Sequence, residues 1–236
     1  MEEVVRNSRS DDPVAAVHDA RRRLLAARTA RLSLRRASPT PPEPRRGLLA
    51  RIRKLIEPGY GSEAEGVLDL SRPGAAYDHG QFAVTETGDG IWGGPSGRAL
   101  AKLSVDPDCR PGPLWFLGAV EFLNVATEDG REDVRDTPCR RFQVSADLNV
   151  SADVRSAETS GAMSWRPGPD LDSDSAPLTV WIDDMHLRAV RLATVDQVYT
   201  LELWDIGADV TGFDWSRLST FRTNVVEDIQ CRENLV

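Results

Sequence analysis

Histidine and cysteine are scarce in this sequence, three of each among 236 residues, and the scarcity narrows the chemistry open to it. Three cysteines (Cys109, Cys139 and Cys231) cannot all pair within one chain, so a disulfide-built scaffold is excluded. Reduced thiols are the expectation, with a Cys109–Cys139 bridge as the alternative. No His/Cys spacing suits zinc. His18 falls in an expected helix, His79 in a turn and His186 just after an Asp183-Asp184 turn, and no Gly-x-Ser-x-Gly elbow supplies a nucleophile. A hydrolytic triad is therefore disfavoured. Long apolar runs are missing too. The richest, Leu114-Trp-Phe-Leu-Gly-Ala-Val-Glu-Phe-Leu, carries Glu121 and falls short of the roughly 18 residues needed to span a bilayer. The acidic start Met1-Glu-Glu precedes no apolar segment of the secretory kind, about 7–15 residues long. The expectation is a cytoplasmic protein, exported only if a leader is missing.

What is present is ordinary in amount and uneven in place. Apolar residues make up 40% and charged residues 28%, the balance of a soluble globular protein with enough chain for a real core. The net charge of -8 conceals a basic head on an acidic body: residues 1–56 hold 14 Lys+Arg against 6 Asp+Glu, the remainder 15 against 31. Arg21-Arg22-Arg23 and the cluster Arg45, Arg46, Arg51, Arg53 and Lys54 carry the excess. Those residues can meet an anionic membrane surface or an acidic protein. The plainer reading is that they solvate a helix and pair with the acidic body. Nucleic acid is disfavoured, because the body repels it and no aromatic residues interleave with the basic ones.

Taken in order, residues 1–10 are polar and expected to be disordered. Asp11-Asp12-Pro13 opens a helix to about Arg28, with an Asp cap and Pro in the first turn. Val14, Val17, Leu24 and Leu25 mark its apolar face, opposite the three arginines. Ala30, Leu32 and Leu34 then alternate as a first strand. Ser38-Pro-Thr-Pro-Pro-Glu-Pro can be neither helix nor central strand, and Gly47 to Glu57 has the spacing of a short basic amphipathic helix. Residues 38–57 therefore read as a Pro-rich linker with a basic insertion. From Glu63 the texture is β. Ala64, Gly66, Leu68 and Leu70 share one parity, and Phe82 and Val84 share another. Gly93-Gly-Pro-Ser-Gly is expected to open a helical piece to about Leu103. Leu114–Leu123 is expected as a helix lying on a sheet. Arg131–Arg135 with Arg140–Leu148 is expected as a hairpin, whose second strand sets Phe142, Val144, Ala146 and Leu148 on one face. A meander over residues 177–206 follows, with Tyr199, Leu201 and Leu203 on its inward face. Residues 217–236 show little periodicity and read as a tail.

Several phrases carry a family resemblance: Glu65-Gly-Val-Leu-Asp-Leu, the strand from Val134 to Leu148, Val180-Trp-Ile-Asp-Asp with Leu187-Arg-Ala-Val-Arg, and Tyr199-Thr-Leu-Glu-Leu-Trp-Asp-Ile-Gly. Their order resembles the LolA/LppX-like half-barrel, including the LppX/LprG-type lipoproteins and their actinobacterial relatives. The likeness runs from about Val14 to Trp215. It implies a single α+β domain over residues 11–216, with a strongly curved antiparallel sheet wrapped around a few helices. An apolar cavity between them would hold acyl chains or other hydrophobic molecules. The resemblance thus implies a non-catalytic binding module without a cofactor. On that fold Trp115, Phe116 and Phe122 of the covering helix would line the cavity, and Leu68, Phe82, Val84, Phe142, Val144, Leu201 and Leu203 would complete it from the sheet.

Three other patterns read as structure rather than chemistry. Asp183-Asp184 is a hairpin turn rather than a carboxylate pair, because neighbours on a strand point apart. Asp170-Leu-Asp-Ser-Asp opens like a calcium loop, but Ser175 stands where glycine is needed and Trp181 where glutamate is needed. Gly93-Gly-Pro-Ser-Gly lacks the Lys-Ser/Thr of a phosphate loop. A second function therefore stands beside the carrier: an interaction or regulatory scaffold with a filled core that docks a partner through residues 45–57.

Overall fold

A computed structural model describes residues 12–37, 63–71, 74–78, 82–87, 90–96, 100–102, 111–147, 175–194, 197–209 and 218–222. The Pro-rich and basic segment 38–57, His79, Cys109, Cys231 and the acidic run 170–174 lie outside the described residues.

Helix α1 spans Pro13–Ala27. Its start follows from its first residues: Asp12 accepts a hydrogen bond from the Val14 amide at 3.0 Å, and Pro13 occupies the turn where a missing N–H costs nothing. It ends where Arg28 turns left-handed at φ 68°. Ala16, Val17, Ala20 and Leu24 are its buried residues. The small alanines at 16 and 20, rather than Val14 and Leu25, let the helix lie close to the sheet.

The strands are β1 (Thr29–Ala37), β2 (Glu63–Asp69), β3 (Gly74–Asp78), β4 (Phe82–Thr87), β5 (Gly90–Pro95), β6 (Leu100–Lys102), β7 (Leu123–Val134), β8 (Thr137–Asp147), β9 (Ser175–Ile182), β10 (Leu187–Ala193), β11 (Val198–Trp204) and β12 (Leu218–Arg222). They form one sheet in the order β12-β6-β5-β4-β3-β2-β1-β11-β10-β9-β8-β7. The sheet is curved and unclosed, and with the two α-helices among the described residues it is an α+β half-barrel. Neighbours run antiparallel, except that β12 lies parallel to β6. β1 stands at the centre, where Leu32 meets Leu203 and Leu34 meets Leu201, so the first strand joins the late meander to the early one.

Two expectations are corrected here. Residues 100–102 form β6 rather than the end of a helical piece, because pairing with Trp92 and Gly93 decides their conformation. The helix expected over 114–123 is shorter: α2 runs Pro113–Ala119, a 3-10 turn takes Val120–Phe122, and Leu123 already belongs to β7. The hairpin is correspondingly longer than its alternation marks. It turns at Arg135-Asp136, both in the left-handed region (φ 48° and 59°).

Alternation separates the two faces. β11 alternates half-buried and buried along its whole length, with Tyr199, Leu201 and Leu203 buried. On the inner face, the row Phe142, Val180, Val190, Leu201, Leu34, Ala64 runs across six strands in register. The outer face carries charge and indoles. Arg35 pairs with Glu63 and Glu202, Arg31 with Asp205, and the Arg135 guanidinium lies 3.6 Å from the Trp204 ring centre. A small outer cluster of Cys139, Trp181, Ala189 and Val134 sits under the hairpin tip. Cys139 is a free buried thiol there, pushed up to about 11 chiefly by burial.

Candidate functional site

The inner face and its two helices make one apolar body. α1 packs on β1, β7, β9 and β10, while α2 lies on β3 and its following turn on β8 and α1. Of the residues expected to line a cavity, Leu68, Val84, Trp115, Phe116, Phe142, Val144, Leu201 and Leu203 are brought together in one buried cluster. Phe122 is half-buried and stands outside that cluster. Phe82 pairs with Pro95 through its backbone, and its side chain lies outside the described residues. So do the side chains of Arg45, Arg46, Arg51, Arg53 and Lys54.

α2 is unusual for its chemistry. All seven residues, Pro113-Leu-Trp-Phe-Leu-Gly-Ala, are buried, so it presents apolar surface on every side. The Trp115 and Phe116 rings meet edge to face at 5.3 Å. A helix this short forms by virtue of what surrounds it, and both of its ends are held by charged side chains.

At the N-terminal end the partner is Glu86. Across the inner face β2, β3, β4 and β5 contribute the row Leu68, Ala75, Glu86, Ile91, in which one carboxylate interrupts apolar neighbours. Glu86 is only 4% exposed. It accepts hydrogen bonds from the Tyr77 hydroxyl at 2.8 Å and the Leu114 amide at 3.3 Å. The negative end of this bond faces the positive end of the helix. Gly112, the residue before the helix, makes the approach possible: a Cβ there would stand 1.7 Å from Glu86 Oε1.

At the other end the partner is Arg21 of α1. Its Nε donates to the Leu117 carbonyl at 2.8 Å, and its Nη2 donates to Glu121 Oε2 at 2.6 Å. The guanidinium side chain is 11% exposed and the Glu121 side chain 48%. Burial lowers the Arg21 pKa from its ordinary value, and the Glu121 charge and hydrogen bond work against that shift. Arg21 is thus not one of three solvated arginines. Arg22 pairs with Asp19 and Arg23 reaches the Asp184 carbonyl, while Arg21 turns to Leu117 of α2 and to Glu121.

Of these four residues, Tyr77, Glu86 and Gly112 were not singled out by sequence reasoning, and Arg21 was read only as one of three surface arginines. Glu86 left one trace, since it shares the inward parity of Phe82 and Val84 on β4. The partners of Arg21 left none, because Glu121 lies 100 positions away. The Asp183-Asp184 pair is the expected turn: Asp183 Oδ1 accepts from the Met185 and His186 amides, both at 2.6 Å, and Arg188 pairs with Oδ2. Among the described residues no group of three His, Cys, Asp or Glu side chains is placed to hold a metal. No helix among them is long and apolar enough to cross a membrane.

No family model matches the chain. No curated protein matches it either. Among solved structures, it is similar to LprF from Mycobacterium bovis, at 10% identity over 86% of this chain and 96% of that one, with a TM-score of 0.49. It is also similar to the lipoprotein LppX from Mycobacterium tuberculosis, at 12% identity over 84% and 98%, TM-score 0.45. A LolA superfamily protein from Nitrosomonas europaea matches at 9% identity over 85% and 98%, TM-score 0.31. Two of the three carry the LppX and LolA names of the half-barrel that the strand phrases resemble. What the chain does rests on its own residues.

Proposed function

We propose that this chain is a non-catalytic binding module for a hydrophobic ligand of lipid or acyl-chain type, held between the inner face of the sheet and α2. The observation that carries the reading is α2 itself, a helix buried on all sides, laid on largely apolar sheet rows and held at its two ends by Glu86 and Arg21. Apolar helix and sheet surfaces that meet in this way can part around an apolar guest. The guest restores the buried area, at about 25 cal/mol per Å2. Few polar groups converge there, which suits a chain-like ligand rather than a polar one.

One observation favours the second reading, a scaffold with a filled core. Leu68, Phe116, Phe142 and Leu201 keep no exposed surface, whereas a side chain facing a water-sized void would keep some. On the carrier reading the ligand therefore takes its place as α2 lifts, not by entering a standing void. Native mass spectrometry of the full chain purified without detergent, with mass analysis of its organic extract, separates the two. The carrier predicts a stoichiometric adduct that leaves on denaturation, or uptake of an added fatty acid. A clean mass with no uptake overturns it in favour of the scaffold. Deleting residues 38–57 gives a second discrimination, because a carrier keeps its ligand while a scaffold loses its partner.

A further inference from the structure

Among the described residues the buried polar side chains are Ser33, Thr85, Glu86 and Thr179. Strand parity divides them. Ser33 lies between Leu32 and Leu34 of β1, Thr85 between Val84 and Glu86 of β4, and Thr179 between Leu178 and Val180 of β9, so these three belong to the outer face. Of the four, Glu86 alone belongs to the inner face, in the row with Leu68, Ala75 and Ile91. A carboxylate in an apolar wall is unfavourable unless donors meet it. The Tyr77 hydroxyl meets it at 2.8 Å and the Leu114 amide at 3.3 Å. Cations on the inner side are matched elsewhere, Arg21 by Glu121 and Arg140 by Glu128.

We infer that Glu86, with Tyr77 beside it, recognises the polar end of the ligand, and that this end is a hydroxyl rather than an anionic group. The inference rests on the carrier reading for the site and adds which class of lipid the site prefers. Tyr77 and Leu114 both donate to Glu86, so a third neighbour fits there by donating as well. A carboxylate has about four acceptor positions on its two oxygens, and a ligand hydroxyl joins Tyr77 at one of them. Hydrogen bonds to a charged acceptor are the stronger kind. A fatty-acid head brings a second negative charge beside the first, and like charges repel strongly where water is excluded. An ester head brings neither charge nor donor.

A competition at about pH 8, where a fatty acid is ionised, tests it. The full chain is offered an equimolar mixture of hexadecanol, methyl palmitate and palmitic acid from cyclodextrin. Native mass spectrometry and organic extraction then measure how much of each is bound. Wild type should hold the alcohol about tenfold over the acid, with the ester between them. Glu86→Gln keeps an oxygen for the Leu114 amide but loses the charge. It should bring the three within about twofold while the total lipid bound is unchanged. Tyr77→Phe removes a competing donor and should widen the preference for the alcohol, and it decides the matter if Glu86→Gln does not fold. A merely structural role for either residue would lower all three lipids alike. Equal binding of the three by wild type, a preference that survives in Glu86→Gln, or one that narrows in Tyr77→Phe overturns the role of Glu86 and leaves the lipid site standing. A preference for the acid overturns it too, and puts the head on a cation such as Arg36 near the end of β1. If none of the three binds, the carrier reading itself fails and the head-group role falls with it.

Discussion

At the scale of single residues, two positions show how a local choice is set by a distant contact. Gly112 is one. Its backbone is extended (φ -91°, ψ 176°), which any residue adopts, so glycine is needed there for space and not for conformation. Gly112→Ala would place a methyl group inside the Glu86 carboxylate and force the bond to Leu114 apart. The expected loss is about 1–3 kcal/mol, read as a lower midpoint in chemical denaturation. The other is Asp136. Together with Arg135 it forms a two-residue turn with both φ positive, where an Asn-Gly or Asp-Gly pair is usual. Arg135 is compensated by Glu202 at 3.0 Å and by the face of Trp204. Asp136 has no such hold among the contacts described. Asp136→Gly should therefore stabilise the protein by about 0.5–1 kcal/mol, measured by the same denaturation. An unchanged or lower midpoint would mean that the Asp136 side chain holds the turn.

At the scale of elements, α2 and β7 are governed by opposite logics. α2 has no polar face, so it exists only against the sheet, and its dipole is met by Glu86 at one end and Arg21 at the other. β7 is the edge of the sheet and is exposed along most of its length. Glu128, Asp129, Arg131, Glu132 and Asp133 crowd it, and Arg140 and Arg141 of β8 pair with three of them. Charge on an edge strand discourages a second chain from extending the sheet. The contrast also explains what could be read in advance. β8, β10 and β11 alternate because one face is buried and one is wet, and the alternation is visible in any window of a few residues. β6 and β12 are short strands whose conformation is decided by the strands they lie against, so neither leaves a period to find.

For the whole molecule, acid should act through the turn that links β9 to β10. Burial opposes the charge on Asp183, but the amides of His186 and Met185 and the Arg188 guanidinium outweigh it, so the carboxyl titrates below its ordinary 3.8. A depressed carboxyl contributes stability above the unfolded value that is lost as pH falls through the folded one. His186 is lowered below 6.5, chiefly by burial. Its neutral form is favoured in the fold, so stability drops as pH falls below 6.5 and the unfolded chain takes up the proton first. Both groups therefore weaken the fold on acidification, in two successive windows. His186→Gln should flatten the upper one, between about pH 7 and 5, and leave the lower one in place. Denaturation midpoints across that range check it, and a curve unchanged by the substitution would remove His186 from the account.

The sequence by itself determined which residues face inward, where α1 begins and where the meander turns, because those features depend on neighbours a few positions apart. A cap needs the next two residues, and a strand face needs every second one. The inward placement of Leu68, Val84, Phe142, Leu201 and Leu203 followed from that short range, and the half-barrel class from the resemblance of the strand phrases in their order. Only the tertiary structure decided that Glu86 and Arg21 seize the two ends of α2, across 28 and 96 positions, and that the apolar rows meet closely there. Such contacts depend on how the sheet curves and where the helix comes to rest, and no local pattern of residues encodes a distance measured through space.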